Sequence, residues 1–450
     1  MKHDERTLPL STDSAEAASL FDRAVEHYLK YHIDTMSLIG DALAADPGFV
    51  MAHCLKGYLL LTTANPANDQ QIAGALAAAE AHAATATPRE KQHVAAFAAW
   101  SRGELDRSFA IWRQILDAAP TDLLAWRICD TTWFRHGETA KIRKLADRVA
   151  PHWSRDMPGY DCCQCIWAFA HEETGDYAAA ERAVDAALDH DRTNYFAHHV
   201  KAHVMEMDCR PREGRDWLQS QIPHWSAGNN IIHHLWWHRT LMELDLGERD
   251  AVIASYDANI RNFDDPMTKA MPDHFVDLQN AAALLWRLER LGLDVGSRWD
   301  ELADKAEARI GEVGHLLLVP HLMLALAATG RAAAAARFLA ALHALAADAS
   351  LWTAPAIAAI VIPSCEATLA HRLGEHARVV DLLAPRQEQI RLLGGSNAQR
   401  DLFFQMLIDS AMKADRRDVV SAMIGYETAT RAVPPSQRAG YAAAARWLHS

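Results

Sequence analysis

Two histidine pairs, one repeat length apart, are the residues of this chain whose types and spacing could do chemistry. His199 and His203 stand four apart with Glu206 three further on, and the run His233-His234-Leu235-Trp236-Trp237-His238 holds a second four-residue pair at His234 and His238. On a helix, at about 100° per residue, His203 lies roughly 40° and Glu206 roughly 20° from His199 around the axis, so over two turns their side chains share a face. Each member of the second pair follows its counterpart by 35 residues. Neutral imidazoles and carboxylates suit zinc, manganese or iron, and two histidines four apart offer two ligands from one helix. A divalent metal, zinc or manganese, is therefore the expected cofactor, with His199, His203, His234 and His238 as its ligands. The ion would acidify a water for hydrolysis, with Glu206 or one of Glu172 and Glu173 as base. Without metal, His199, His203, Glu206, His234 and His238 form the expected acid–base set. The competing reading is a structural hydrogen-bond network, since the chain carries 24 histidines, many of them scattered. The His-Glu-x-x-His sequence of zinc proteases is lacking, and there is no nucleotide-cofactor motif.

Around this centre, Glu172, Glu173, Trp237, Asp277, His321 and Arg400 are the expected substrate contacts. Arg400 lies in Gly394-Gly395-Ser396-Asn397-Ala398-Gln399-Arg400-Asp401. That stretch reads as a helix end, a two-glycine turn and a new start, with Ser396 as N-cap and Gln399 closing a capping box. A guanidinium at a helix start faces the unfavourable end of the dipole and wants a partner, either an internal carboxylate or a ligand. Most of the 14 tryptophans read as packing residues.

The elements that must hold these residues are helices. Alanine-rich segments with apolar positions three and four apart recur from end to end, broken by Gly, Pro, Asp and Asn, and strand-like alternation is absent. The segments repeat. Gly103, Ser108, Trp112 and Pro120 stand at the spacing of the turn glycine, small contact, aromatic and closing proline of the 34-residue tetratricopeptide unit. Trp126 with Gly137, and Gly175 with Ala180, continue the pattern. The same count puts His199, His203 and Glu206 at first-helix positions that line the concave groove of such arrays, and parallel first helices would set the two histidine pairs side by side. Two departures mark this region: Arg192 stands where the closing proline belongs, and Cys209 where the turn glycine belongs. The expected fold is all-α, a tetratricopeptide-like helical-repeat solenoid (an α-α superhelix) forming a single continuous domain over 1–450. Bends are expected near 151–160 and 262–272, and Pro434-Pro435 opens a capping helix over 434–450 with Tyr441, Trp447 and Leu448.

Charge and composition narrow the functions. A net charge of −13, from 58 acidic and 45 basic side chains, leaves no basic field for a phosphate backbone, so nucleic acid is not an expected partner. The apolar runs Ala354–Ile362 and Leu316–Ala328 fall short of the roughly 20 residues that span a bilayer, so no membrane is expected. Seven cysteines, an odd number, with Cys162, Cys163 and Cys165 crowded together, read as buried thiols in a reducing cytoplasm.

Five stretches carry a likeness that runs through nearly the whole chain: PTDLLAW at Pro120–Trp126, HVKAHVMEM at His199–Met207, Trp237-His238 preceded by His234, LLWRLERLGLDVGSRW at Leu284–Trp299, and GGSNAQRD at Gly394–Asp401. With these, the sequence resembles the tetratricopeptide-repeat protein 38 family. The resemblance implies a cytoplasmic α-solenoid whose histidine motifs fall on His199, His203 and Glu206 and on His234 and His238. It implies no particular activity. The expected function is a His/Glu-rich pocket for a small molecule or short peptide, used for metal-assisted or acid–base hydrolysis. The alternative is a non-catalytic scaffold for peptides or proteins; homo-oligomerisation is left open.

Overall fold

Local sequence signals start and stop the helices. In the computed structural model, which describes residues 1–450, Thr87 accepts from the Glu90 amide while Glu90 reaches back to the Thr87 amide, and Pro88 occupies the first helical position. This capping box launches helix Pro88–Ser101. Gly103 then turns the chain at φ +78°, a conformation that costs a side-chain-bearing residue about 1–2 kcal/mol. The partner helix Leu105–Ala118 returns along the first. Ser108 is small enough for close approach and donates to the Ala96 carbonyl at 3.0 Å. Trp112, fully buried, donates its indole N–H to the Tyr58 hydroxyl at 3.2 Å. Small, polar and aromatic positions thus lock one helix pair together and fasten it to helix Val50–Thr63.

Such pairs follow one another along the chain, and the fold is an all-α helical-repeat arrangement. The exception is a two-residue ribbon at the amino terminus, Lys2–His3 against Pro9–Leu10, which periodicity does not announce because it is too short to alternate. Chain contacts define two compact units. The first comprises Met1–Phe134, Thr139–Lys201 and Pro223–Ile231; the second comprises Arg135–Glu138, Ala202–Ile222 and Ile232–Ser450.

In the first unit, Tyr58, Phe97, Trp112, Trp126 and Phe196 are fully buried core. The chain leaves regular helix near the expected bend, through the turn Ala150–His152 and Gly159 at φ +84°, before helix Tyr160–Glu172 begins. That helix buries Cys162, Cys163 and Cys165; all seven cysteines are free, as expected of thiols rather than a disulfide framework.

In the second unit, the 262–272 stretch is not wholly irregular: Asp265 caps a short helix, Pro266–Ala270. The Leu284–Trp299 stretch divides between helix Phe275–Arg290 and a successor that starts at Arg298. The capping helix begins later than the prolines suggest. Pro435–Gln437 forms only a single tight turn, and helix Ala442–Trp447 starts after Gly440, whose backbone lies against the Gln405 side chain, too close for a β-carbon. Tyr441 is fully buried just before it. One helical stretch, Ala354–Arg372, has the length and apolarity to cross a bilayer, and 61% of its apolar window is buried within the protein. The run Ala354–Ile362 underestimates it because the helix continues through Pro363, with the wider π-turn Ile357–Val361 directly before the proline.

Candidate functional site

Two helices carry the histidines, Tyr195–Met207 and Ile231–Asp245. The turn after the first is the place where Cys209 replaces the expected glycine, and Cys209 adopts φ +57°, the left-handed conformation a glycine would have supplied. The turn therefore keeps the backbone form of a glycine turn without the glycine. Gly214, in helix Pro211–Gln221, lies against Met205 and Met242, so that a β-carbon there would meet the Met242 methyl at 2.6 Å. This close approach seats the returning helix on both histidine-bearing ones.

Within the second unit, His203, His234 and His238 come together. The His203 and His238 ring centroids are 4.5 Å apart, those of His234 and His238 4.5 Å, and those of His203 and His234 6.5 Å. One nitrogen from each lies within 4.8 Å of the others, and all three residues are buried. The Nε2 atoms of His234 and His238 are 3.2 Å apart. Their opposite nitrogens are both engaged: His238 Nδ1 lies 2.7 Å from Glu206 Oε2, and His234 Nδ1 lies 3.1 Å from Asn280 Oδ1. Trp237, fully buried, stacks on His234 at 5.2 Å with 11° between the rings. It forms a wall of the cluster.

Two imidazole nitrogens 3.2 Å apart need something shared between them. One solution is a proton: His238 Nε2–H donates to His234 Nε2, and His234 Nδ1–H donates to Asn280. Burial, and then the neighbouring His203, push the His234 imidazole down to about 3, so it is neutral at ordinary pH. Burial, and then the Asp245 carboxylate, push Glu206 up to about 8. A protonated Glu206 completes the chain by donating to His238 Nδ1. The other solution is a metal ion. Two nitrogens bound tetrahedrally to zinc at about 2.0–2.1 Å are about 3.3 Å from each other, close to the spacing found. Ligating histidines are commonly oriented by a carboxylate or carbonyl oxygen on the other nitrogen, the arrangement that Glu206 and Asn280 make here.

Glu206 also borders a cavity of about 50 Å³ lined by Asp245, Arg287, Arg290, Asp401 and Arg438. A water needs about 10–15 Å³ of such space, so a few waters or a very small polar group fit. Arg287 is buried and donates to the Ala283 carbonyl at 3.1 Å; burial lowers its pKa, opposed by Asp401 and Glu206. Burial raises the Asp245 carboxyl, while Arg438 opposes it. At Asp401, burial is outweighed by Arg438 and Arg287, and the carboxyl is held below its usual range. Asp401 also accepts from Tyr441 and, at 2.6 Å, from Gln405.

No protein-family model matches the chain. The geometry of the site therefore carries the functional reading.

The remaining expected site residues take their places on several elements. His199 belongs to the first unit, where its ring packs against Phe169 and Phe196, each at 6.1 Å. Glu172 and Glu173 are buried at the end of helix Tyr160–Glu172 in that unit. Asp277 pairs with His233, at 3.2 Å from its Nδ1, and not with the three-histidine cluster. His321 donates from Nδ1 to the Leu317 carbonyl at 2.7 Å and packs against Phe403. The Ser396–Gln399 capping box forms as expected. Arg400 turns back to the Gly395 carbonyl and, at 2.8 Å, to Asn397, while its neighbour Asp401 reaches the cavity. Asn280, Arg287, Asp245 and Arg438 escaped the sequence reading. Asn280 and Arg287 had a legible signal, being polar residues seven apart, two turns along one face of a helix.

Proposed function

We propose that His203, His234 and His238 bind a divalent metal, zinc or manganese, and that the centre serves metal-assisted hydrolysis of a small polar substrate. The observation that carries this is the 3.2 Å approach of two imidazole nitrogens whose far sides are held by Glu206 and Asn280. When bound, the ion supplies an acidified water and a Lewis acid. The chain's own groups do the rest. Asn280 holds the His234 tautomer, Glu206 holds or yields a proton at His238 Nδ1, and the guanidiniums of Arg287 and Arg438 give the cavity positive partners for an anionic group. The cavity's volume restricts what reaches Glu206 to something a few waters in size.

The second reading is acid–base chemistry without metal, favoured by the hydrogen-bonded chain Glu206–His238–His234–Asn280, which is complete as it stands. A peptide scaffold draws support from the repeat fold, but a peptide groove offers exposed side chains, and His203 and His238 have no exposed surface. The Gly103–Ser108–Trp112 geometry supports a tetratricopeptide identity for the repeats, and the free, mostly buried cysteines support a cytoplasmic setting.

The test is elemental analysis of untagged protein purified without chelators, beside a His203→Ala/His238→Ala double variant. About one equivalent of metal in the native protein, lost in the variant, supports the centre. A folded native protein that binds none after incubation with zinc or manganese overturns it and leaves the proton chain.

A further inference from the structure

We propose a second metal site, separate from the first: the turn joining helices Ala15–Leu29 and Thr35–Ala45 binds a divalent transition metal through His27, His32 and Asp34. These residues all belong to the first unit, and one potential ligand atom from each lies within 4.8 Å of the other two. The backbone builds the site. Tyr31 adopts φ +61°, and the His32 amide donates to the His27 carbonyl at 2.8 Å, which folds the chain so that the two rings face each other at 4.5 Å. The turn is held from its far side as well. His32 bridges to Gly228, Ile33 N–H donates to the Ala227 carbonyl at 3.0 Å, and Asn229 N–H donates to the Tyr31 carbonyl at 2.8 Å.

One side-chain feature goes beyond what a His–Asp ion pair requires, and a second supplies the carboxylate. His32 Nε2–H donates to the Thr193 carbonyl at 3.1 Å, which fixes the tautomer and leaves the Nδ1 lone pair for a ligand. Asp34 occupies the N-cap position of helix Thr35–Ala45, where aspartate ordinarily accepts from the helix amides, yet it makes no capping bond. Its carboxylate is turned instead to His27 Nδ1, at 2.6 Å. Two imidazoles and one carboxylate favour zinc, cobalt(II) or nickel(II) over magnesium or calcium. The Asp34 side chain is 45% exposed, so water would complete the coordination and the ion would exchange freely. The ligand atoms lie within 4.8 Å of one another, so closing them to the roughly 3.3 Å of a zinc polyhedron takes at most about 1.5 Å, shared between side chains that are partly exposed.

The experiment is equilibrium dialysis of the full chain against zinc, comparing the native protein with His32→Asn and Asp34→Asn, with circular dichroism to confirm folding. Each variant is expected to bind one ion fewer per chain, or to bind that ion about tenfold or more weakly. A His238→Ala background separates this site from the central one. If the central proposal fails, native protein still binds one ion and the turn variants none. If the turn proposal fails, native protein and both turn variants bind zinc in equal number and with equal affinity, and His27–Asp34 is an ion pair only.

Discussion

Replacing Glu206 by glutamine tests the central reading at its most specific point. Glu206 Oε2 sits 2.7 Å from His238 Nδ1, so the carboxylate is positioned to orient the ring that presents Nε2 to a metal. Removing such an orienting partner typically costs 10–100-fold in metal affinity, which is about 1.4–2.7 kcal/mol. Glutamine keeps the shape and one hydrogen bond, so the loss to stability should stay within about 1 kcal/mol. The two effects therefore separate. The assay is competition for zinc between the protein and a chromophoric chelator, with a thermal melt of the metal-free protein alongside. The expected result is a 10–100-fold weaker zinc constant with a nearly unchanged melt. Equal zinc affinity in the native protein and the Glu206→Gln variant would show that Glu206 does not orient a ligand, and the metal assignment would lose its main support.

Asn280→Ala should weaken zinc binding in the same range through His234, read by the same competition. Burial pushes His136 and His321 down to about 4. Their unfolded counterparts bind protons near 6.5, so protons favour the unfolded chain, and stability should fall by about 3 kcal/mol per histidine as pH drops from about 6.5 to 4. Denaturant melts across that range check this, and His321→Gln should flatten the fall. Trp112→Ala should cost about 3–5 kcal/mol, measured by chemical denaturation, because it empties a fully buried site and removes the hydrogen bond that the Tyr58 hydroxyl accepts. Cys209→Gly should stabilise by roughly 0.5–1 kcal/mol, since relief at φ +57° exceeds glycine's added unfolded-state entropy; an unchanged or lower melting point would contradict it.

Much of the architecture was legible because helical repeats are local. Turn glycines, capping residues and the spacing of small and aromatic side chains act within tens of residues, so Gly103, Ser108 and Trp112 announced their helix pair without knowledge of the rest. The histidine register was readable for the same reason, as a single period separates the two pairs. Even the Cys209 anomaly obeyed the local rule, adopting the backbone conformation that the missing glycine would have taken. Segment ends were less legible where distant neighbours meet, as at Gly440, whose backbone packs against Gln405 just before the last helix.

The sequence by itself determined the all-helical class, the repeat period and the facing of His203 and Glu206 along one helix, since these follow from backbone geometry and side-chain type. Only the tertiary structure decided which polar groups meet. Asn280 reaches His234 across 46 residues of chain, Asp277 is taken by His233, and Asp401, not Arg400, borders the cavity. Hydrogen bonding and charge pairing depend on separations of about 3 Å in space, and a periodic pattern places helices side by side without setting which side chains come that close.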